Sequence, residues 1–201
     1  MGAKYMDIYG RNISIGDYPT IVASPDNYVH LTTWNLEGNE GEISIGKYCL
    51  LTPGVRIASA SKITIGDGCM FANSAYVSDA DWHGIYDRAT PVGKTSPITL
   101  EENVWIGDRA VVGKGVKIGK NSIVAAGSVV VKDVPENVIV GGNPSKIIKE
   151  LNPEIDGNTR IKLFENPEGL KDLYDQIDQY TLKNNTTLNY LKSIFYRNKT
   201  H

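Results

Sequence analysis

An all-β solenoid is the fold class that this sequence predicts, on three observations. Aliphatic or aromatic residues recur at every sixth position through Ile45, Leu51, Ile57 and Ile63, and after a two-residue shift through Ile65, Phe71 and Val77. A second run passes through Ile106, Val112, Ile118, Val124 and Val130 without a slip. Four places after each anchor stands a residue that is mostly small or β-branched, as at Cys49, Val55, Ser61, Ala75 and Ala110, and glycine often follows the anchor directly, as at Gly66, Gly107 and Gly119.

A helix repeats near 3.6 residues and a half-buried strand at 2, so neither keeps a six-residue repeat on one face. Short flat strands do, if each six-residue unit forms one side of a triangular coil and three units complete a turn of about 18 residues. The anchors then stack into columns inside, the small residues fit the corners, and glycine leaves room for a tight turn. One coil cannot bury its own apolar side, so such coils stack.

In chain order, residues 1–42 hold a partial repeat at Ile13 to Asp17 and a polar, aromatic stretch from His30 to Asn35. They read as irregular opening coils whose exposed aromatics could line a substrate pocket. Residues 43–77 are regular coils. Residues 78–97, SDADWHGIYDRATPVGKTSP, break the period and leave the prism as an extended loop before Ile98 resumes it. Long loops in compact folds commonly carry function. Past Lys146 the composition shifts. Asn166 followed by Pro167 starts a helix with Leu170, Leu173, Tyr174, Ile177 and Tyr180 on one face. Leu188, Leu191, Ile194 and Phe195 mark a second, short helix that packs on its surroundings. The expected division is a coil domain over 1–150 and a C-terminal α-helical appendage over 151–201.

A net charge of −2 argues against nucleic-acid binding, and no apolar run approaches the roughly 18 residues that span a bilayer. The opening MGAKYMDIYGRN lacks the apolar core of a signal peptide. Cys49 and Cys69 both fall at the small-residue position, where buried thiols in a reducing, cytoplasmic setting are expected.

The loop carries the chemistry-bearing residues. His83 stands among Asp79, Asp81, Trp82, Tyr86, Asp87 and Arg88, and an imidazole accepts a proton near neutral pH. It is the candidate general base. Asp81, or Asp79, would orient its tautomer, and either could instead cap the turn or pair with Arg88. A metal site needs convergent ligands, and the histidines, His30, His83 and His201, show no metal-binding spacing, so no metal is expected.

The pattern in Ile65-Gly66-Asp67-Gly68-Cys69 and Ile118-Gly119-Lys120-Asn121-Ser122, and the stretch from Asn103 to Lys146 with its VWIG, AAGSVV, KDVP and GGNP segments, resemble the hexapeptide-repeat acyltransferases, in particular their maltose and galactoside O-acetyltransferase branch. The resemblance covers residues 10–150. It implies a left-handed parallel β-helix and a catalytic histidine in the extended loop, here His83, which deprotonates an acceptor as it attacks an acyl thioester. It implies acetyl-CoA as co-substrate, with Trp105 beside the pantetheine arm and Ala125, Ala126, Gly127 and Ser128 presenting backbone groups to it. Lys132, Lys146 and Lys149 would meet the phosphates. Asn73, Trp82, Tyr86 and Arg88 would contact the acceptor. It also implies a homotrimer with sites between subunits.

The expected function is transfer of an acyl group to a sugar hydroxyl in surface-polysaccharide synthesis. N-acylation of a nucleotide-linked amino sugar is an alternative, because the loop lacks the histidine-proline pair of the simple-sugar branch and adds aromatic and charged groups. A non-catalytic scaffold or binding module on the same coils is the third reading.

Overall fold

The structure, a computed structural model, describes residues 3–36, 38–155, 157, 159–183 and 185–196. His201 lies outside them.

Three parallel sheets wind around one core, and the chain visits them in rotation. The first stacks Met6–Tyr9, Val29–Thr33, Arg56–Ser59, Tyr76–Ser78, Val111–Val112 and Val129–Val130. The second stacks Ile13–Ile15, Glu42–Ile45, Lys62–Ile65, Ile98–Leu100 and Lys117–Ile118. The third runs from Thr20–Ile21 through Leu50–Leu51, Met70–Phe71, Trp105–Ile106 and Ile123–Val124 to Val138–Gly141. There Lys146–Glu150 folds back antiparallel and ends the coil.

Register follows the anchors. Ile45 pairs with Ile65, Ile65 with Leu100, and Leu100 with Ile118. Leu51, Phe71, Ile106 and Val124 form a second internal column, and Ile57, Val77, Val112 and Val130 a third. Every one of these side chains is buried. Burying a branched aliphatic side chain contributes about 1.5–3 kcal/mol, and the columns make that gain repeat with each coil.

The opening segment is more regular than its sequence suggests. Met6–Tyr9, Ile13–Ile15 and Thr20–Ile21 form a complete first coil, and Val29–Thr33 pairs in register with Arg56–Ser59. Period six is hidden there by a tight turn at Ser24 and Asn27 and by the small antiparallel pair Asn35–Leu36 with Asn39–Glu40.

Glycine after the anchor serves a purpose other than turning. A Cβ on Gly107 would meet the Ala126 nitrogen at 2.6 Å, and one on Gly66 the Glu101 carbonyl carbon at 2.8 Å. Close stacking of backbones therefore requires the glycine. The left-handed turn residue comes further on, at Tyr48 (φ 60°), Asn103 (φ 56°), Asn121 (φ 60°) and Asn137 (φ 56°). Asparagine tolerates that conformation, and three of them bond into a ladder, Asn103 Nδ2 to Asn121 Oδ1 at 3.0 Å and Asn121 Nδ2 to Asn137 Oδ1 at 2.9 Å.

One compact unit extends to Ile161. The closing strand pairs with the last coil, and Arg160 donates to the Tyr48 carbonyl at 3.1 Å and to Thr20 Oγ1 at 2.8 Å. The second unit begins at Lys162 and contains the helices Pro167–Leu182 and Thr187–Tyr196. Asn166 caps the first by accepting the Gly169 N–H at 3.0 Å. The side chains of Ile194 and Phe195 lie outside the described ones. Among the described residues, no helix is long and apolar enough to cross a membrane.

Candidate active site

The excursion over 78–97 is a two-stranded ribbon at its base, because its backbone groups need partners once they leave the coil. Ala80 and Thr95 form an antiparallel bridge. Asp81 N–H donates to the Lys94 carbonyl at 2.9 Å, Gly93 N–H to the Asp81 carbonyl at 2.7 Å, and Ser96 N–H to the Asp79 carbonyl at 2.9 Å. At Gly93 an added Cβ would press on the His83 carbonyl oxygen.

Asp79 is fully buried and holds the corner beneath the ribbon. Its carboxylate accepts from Ser59 Oγ at 2.6 Å, Ala60 N–H at 2.8 Å and Ser61 N–H at 3.0 Å. These residues are the corner where the period slips by two. Asp79 thus compensates an insertion and is not available to orient an imidazole.

Asp81 is committed elsewhere as well. Its Oδ1 lies 2.6 Å from Lys114 Nζ. The His83 side chain is exposed, and among the described residues its ring makes no hydrogen bond or ion pair. Ile85, Tyr86 and Arg88 beside it are exposed too. Asp87 closes its own turn through Thr90 Oγ1 at 2.8 Å and Ala89 N–H at 3.0 Å, and the Thr90 bond first, then the Ala89 one, hold its carboxyl below the usual range. The tip therefore presents an exposed imidazole and an exposed phenol.

Trp82 points to another grouping. Its Nε1 donates to the Tyr76 hydroxyl at 3.0 Å, and its ring lies 5.8 Å from that of Trp34. The Arg56 guanidinium sits 4.4 Å from the Tyr76 ring centroid. His30, Thr32 and Ala58 complete a concavity of about 480 Å³ on the outer face of the first sheet. The stretch His30 to Asn35 signalled part of it. Arg56 and Tyr76 carried no signal, because only coil register makes them neighbours.

Trp105 lies on the outer face of the third sheet, 42 % exposed, between Met70 and Ile123 in register. With Asn103, Asn121, Asn137 and the chain after Leu151 these line a cleft of about 580 Å³. Asn73 and Ala125 to Ser128 sit at the corner between the third and first sheets. There Arg109 N–H donates to the Asn73 carbonyl at 2.9 Å and Gly127 N–H to the Asp108 carbonyl at 2.7 Å. Asn73 Oδ1 accepts from Ser74 Oγ at 2.9 Å. Gly127 faces open space. Ser128 is buried, with its Oγ accepting the Gly142 N–H at 3.2 Å and its own N–H and carbonyl used by Ala125 and Val111. Lys132 and Lys146 are exposed, the latter at the start of the closing strand. Among the described residues no group of three or more His, Cys, Asp or Glu is arranged to hold a metal.

Residues 97–132 match the bacterial transferase hexapeptide (six repeats) family. The galactoside O-acetyltransferase of Escherichia coli K12 is 37 % identical over 112 residues, 55 % of this chain and 55 % of that one. That of Lactococcus lactis is 47 % identical over 91 residues, 45 % of this chain and 44 % of that one. A tetrahydropyridine-dicarboxylate N-acetyltransferase of Clostridium perfringens is 54 % identical over 71 residues, 35 % of this chain and 30 % of that one. The chain thus spans about half or less of the length of the curated relatives it matches. Among solved structures, a hexapeptide-repeat acetyltransferase of Vibrio cholerae in complex with acetyl coenzyme A superposes with a TM-score of 0.50 at 28 % identity, over 73 % of this chain and 71 % of that one. An N-acyltransferase of Bacillus cereus shares the fold with a TM-score of 0.61 at 24 % identity, over 84 % and 86 %. Residues 97–132 thus carry hexapeptide repeats of the bacterial transferase type, and about half of the chain is similar to galactoside O-acetyltransferases.

Proposed function

We propose that the chain is a coenzyme-A-dependent acyltransferase that moves an acetyl group from acetyl-CoA to a sugar hydroxyl, on coils wound in the left-handed sense. The observation that carries the reading is the match of its coils to acetyltransferases, one of them solved with acetyl coenzyme A, together with an exposed His83 at the tip of the ribbon whose ring has no partner among the described residues. Neutral imidazole accepts the acceptor hydroxyl proton as that oxygen attacks the thioester carbonyl. The C–S bond then breaks, and the imidazolium returns its proton to the departing sulfur. Backbone N–H groups would stabilise the oxyanion.

The residues present fit the donor. Trp105 offers an exposed flat face for the pantetheine arm, Gly127 opens the corner beside it, and Lys132 and Lys146 carry exposed cationic heads for phosphates. A homotrimer supplies what one chain lacks. Ile85 and Tyr86 stand exposed beside His83, and a neighbour's coil face would enclose them and bring Trp105 to the imidazole. The 1–150 region plus its closing segment would be the catalytic part, in the acetyl-CoA-containing cytoplasm, serving surface-polysaccharide synthesis.

N-acylation of a nucleotide-linked amino sugar is the second reading, favoured by Arg56, which has no carboxylate partner among the described residues, in an aromatic concavity. Thiol release from acetyl-CoA, measured across galactosides, other sugars and nucleotide-linked amino sugars, tests both. His83→Ala is expected to lower the rate about 10²- to 10⁴-fold on the true acceptor. Hydroxylamine removes an O-acetyl product and spares an N-acetyl one. Absence of both thiol release and coenzyme A binding would leave only the scaffold.

A further inference from the structure

The concavity on the first sheet contains more than packing requires. Its floor is an outward ladder in strict register, Asp7 beside His30, His30 beside Arg56, and Arg56 beside Tyr76. Such outward positions need only be polar or small. Here they are an imidazole, a guanidinium and a phenol, with two indoles above them.

Three features prepare these groups for a ligand. Trp34 is fixed at both backbone groups, its N–H donating to the Ser59 carbonyl at 2.8 Å and its carbonyl accepting the Gly41 N–H at 3.1 Å, while its indole remains 42 % exposed. Trp82 donates its only N–H to the Tyr76 oxygen, which leaves the Tyr76 hydroxyl proton to be given outward. Arg56 is exposed and touches the Tyr76 ring, and among the described residues it has no carboxylate partner. Five lysines on the coils, Lys47, Lys62, Lys114, Lys117 and Lys120, are by contrast each paired with an acid.

Indole faces offer flat, rigid apolar area at small cost in rotamer entropy, which suits the C–H face of a pyranose. A guanidinium without a partner suits a phosphate, which it grips through two N–H groups. The volume of about 480 Å³ falls within the range of small-molecule sites. Trp82 and His83 are consecutive, so their Cα atoms are about 3.8 Å apart, and a ligand on Trp82 lies at the root of the ribbon tip.

From this grouping, we infer that the Trp34–Trp82–Arg56–Tyr76 cradle binds a phosphate-linked sugar, the pyranose on the indoles and the phosphate on Arg56. The inference rests on the acyl-transfer reading for its purpose, which is to hold the acceptor. It narrows that acceptor from sugars in general to those carrying a phosphate on the anomeric carbon, whether free or as part of a nucleotide-linked sugar.

Binding is measured without coenzyme A, so that it stands apart from catalysis. The chain has three tryptophans, two of them in the cradle, so tryptophan fluorescence reports occupancy, with calorimetry as the second readout. Titration with α-D-glucose 1-phosphate is expected to saturate, and Arg56→Gln to raise Kd about tenfold or more. Trp34→Ala should weaken the sugar phosphate and leave inorganic phosphate unchanged. A nucleoside-diphosphate hexose binding more tightly than glucose 1-phosphate would assign the source as a nucleotide-linked sugar; equal affinities would assign it as the sugar phosphate itself. The inference is overturned if glucose or inorganic phosphate binds as tightly as glucose 1-phosphate, if no sugar phosphate binds, or if neither variant changes Kd. Arg56-dependent binding with no thiol release on any acceptor would retain the cradle and reject the reaction. Thiol release on neutral galactosides, unchanged in Arg56→Gln, would retain the reaction and reject the cradle.

Discussion

Among single residues, Asp79 and Asp81 are indistinguishable in sequence as partners for His83, and the structure separates them by what surrounds each. Asp79 is sealed beneath the ribbon with three donors on its carboxylate, and Asp81 is half-exposed against Lys114. Asp79→Ala leaves the Ala60 and Ser61 N–H groups and the Ser59 hydroxyl proton without their acceptor, at about 1–3 kcal/mol each where relaxation fails. Urea denaturation should show stability lowered by about 3 kcal/mol with an unchanged m-value. The cysteines offer a second check. Both are buried, Cys49 Sγ lies 3.3 Å from the Gly66 carbonyl, and contact with Cys49 followed by burial pushes the Cys69 thiol well up. The same contact lowers the Cys49 thiol, so burial of both sulfurs is what keeps a reagent out, and Ellman's reagent should find no protein thiol in the native chain and two after unfolding. Burial of both was legible, since small-residue positions face the corners of the coil.

Among elements, the strands were legible and the ribbon was not. A side of the coil is fixed by one inward anchor per six residues, and Ile57, Val77, Val112 and Val130 each identify theirs. The ribbon has no such periodicity. Asp81 with Gly93 and Asp79 with Ser96 pair by backbone alone, and backbone pairing leaves little trace in side-chain pattern. The cradle was hidden for a related reason. His30, Arg56 and Tyr76 meet through coils of unequal length, so no single spacing joins them. Gly93→Ala tests the ribbon as an element. A Cβ there displaces the His83 carbonyl, and a misplacement near 1 Å can lower kcat about 10²-fold. Thermal unfolding of the coils should move little, because the ribbon contributes no column residue.

For the whole molecule, the residues proposed for the site fall on separate faces: His83 on the ribbon from the first sheet, Trp105 on the third sheet and the small-residue corner of Ala125 to Ser128 between them. The proposed trimer would join these across subunits. Light scattering after size exclusion should give three times 22.0 kDa. A monomer of that mass active in thiol release would show that one chain completes the site alone. Removal of the residues after Ile161 should leave the coils folded, since that segment forms its own unit. If the shortened chain remains a trimer but changes acceptor, the helices shape the pocket; if it dissociates, they join subunits.

The backbone bond between Asp79 and Ser96 closes the ribbon on itself before Ile98 resumes the second sheet in register with Ile63. Whatever lies between those two residues leaves the thread of the coil unshifted, and lengthening it adds only a loop-closure term that grows with the logarithm of its length. The proposed catalytic base and the stability of the fold are thereby encoded in separable stretches of the gene. Sequence change can accumulate in the ribbon under selection for chemistry while the columns beneath it remain under selection for packing alone.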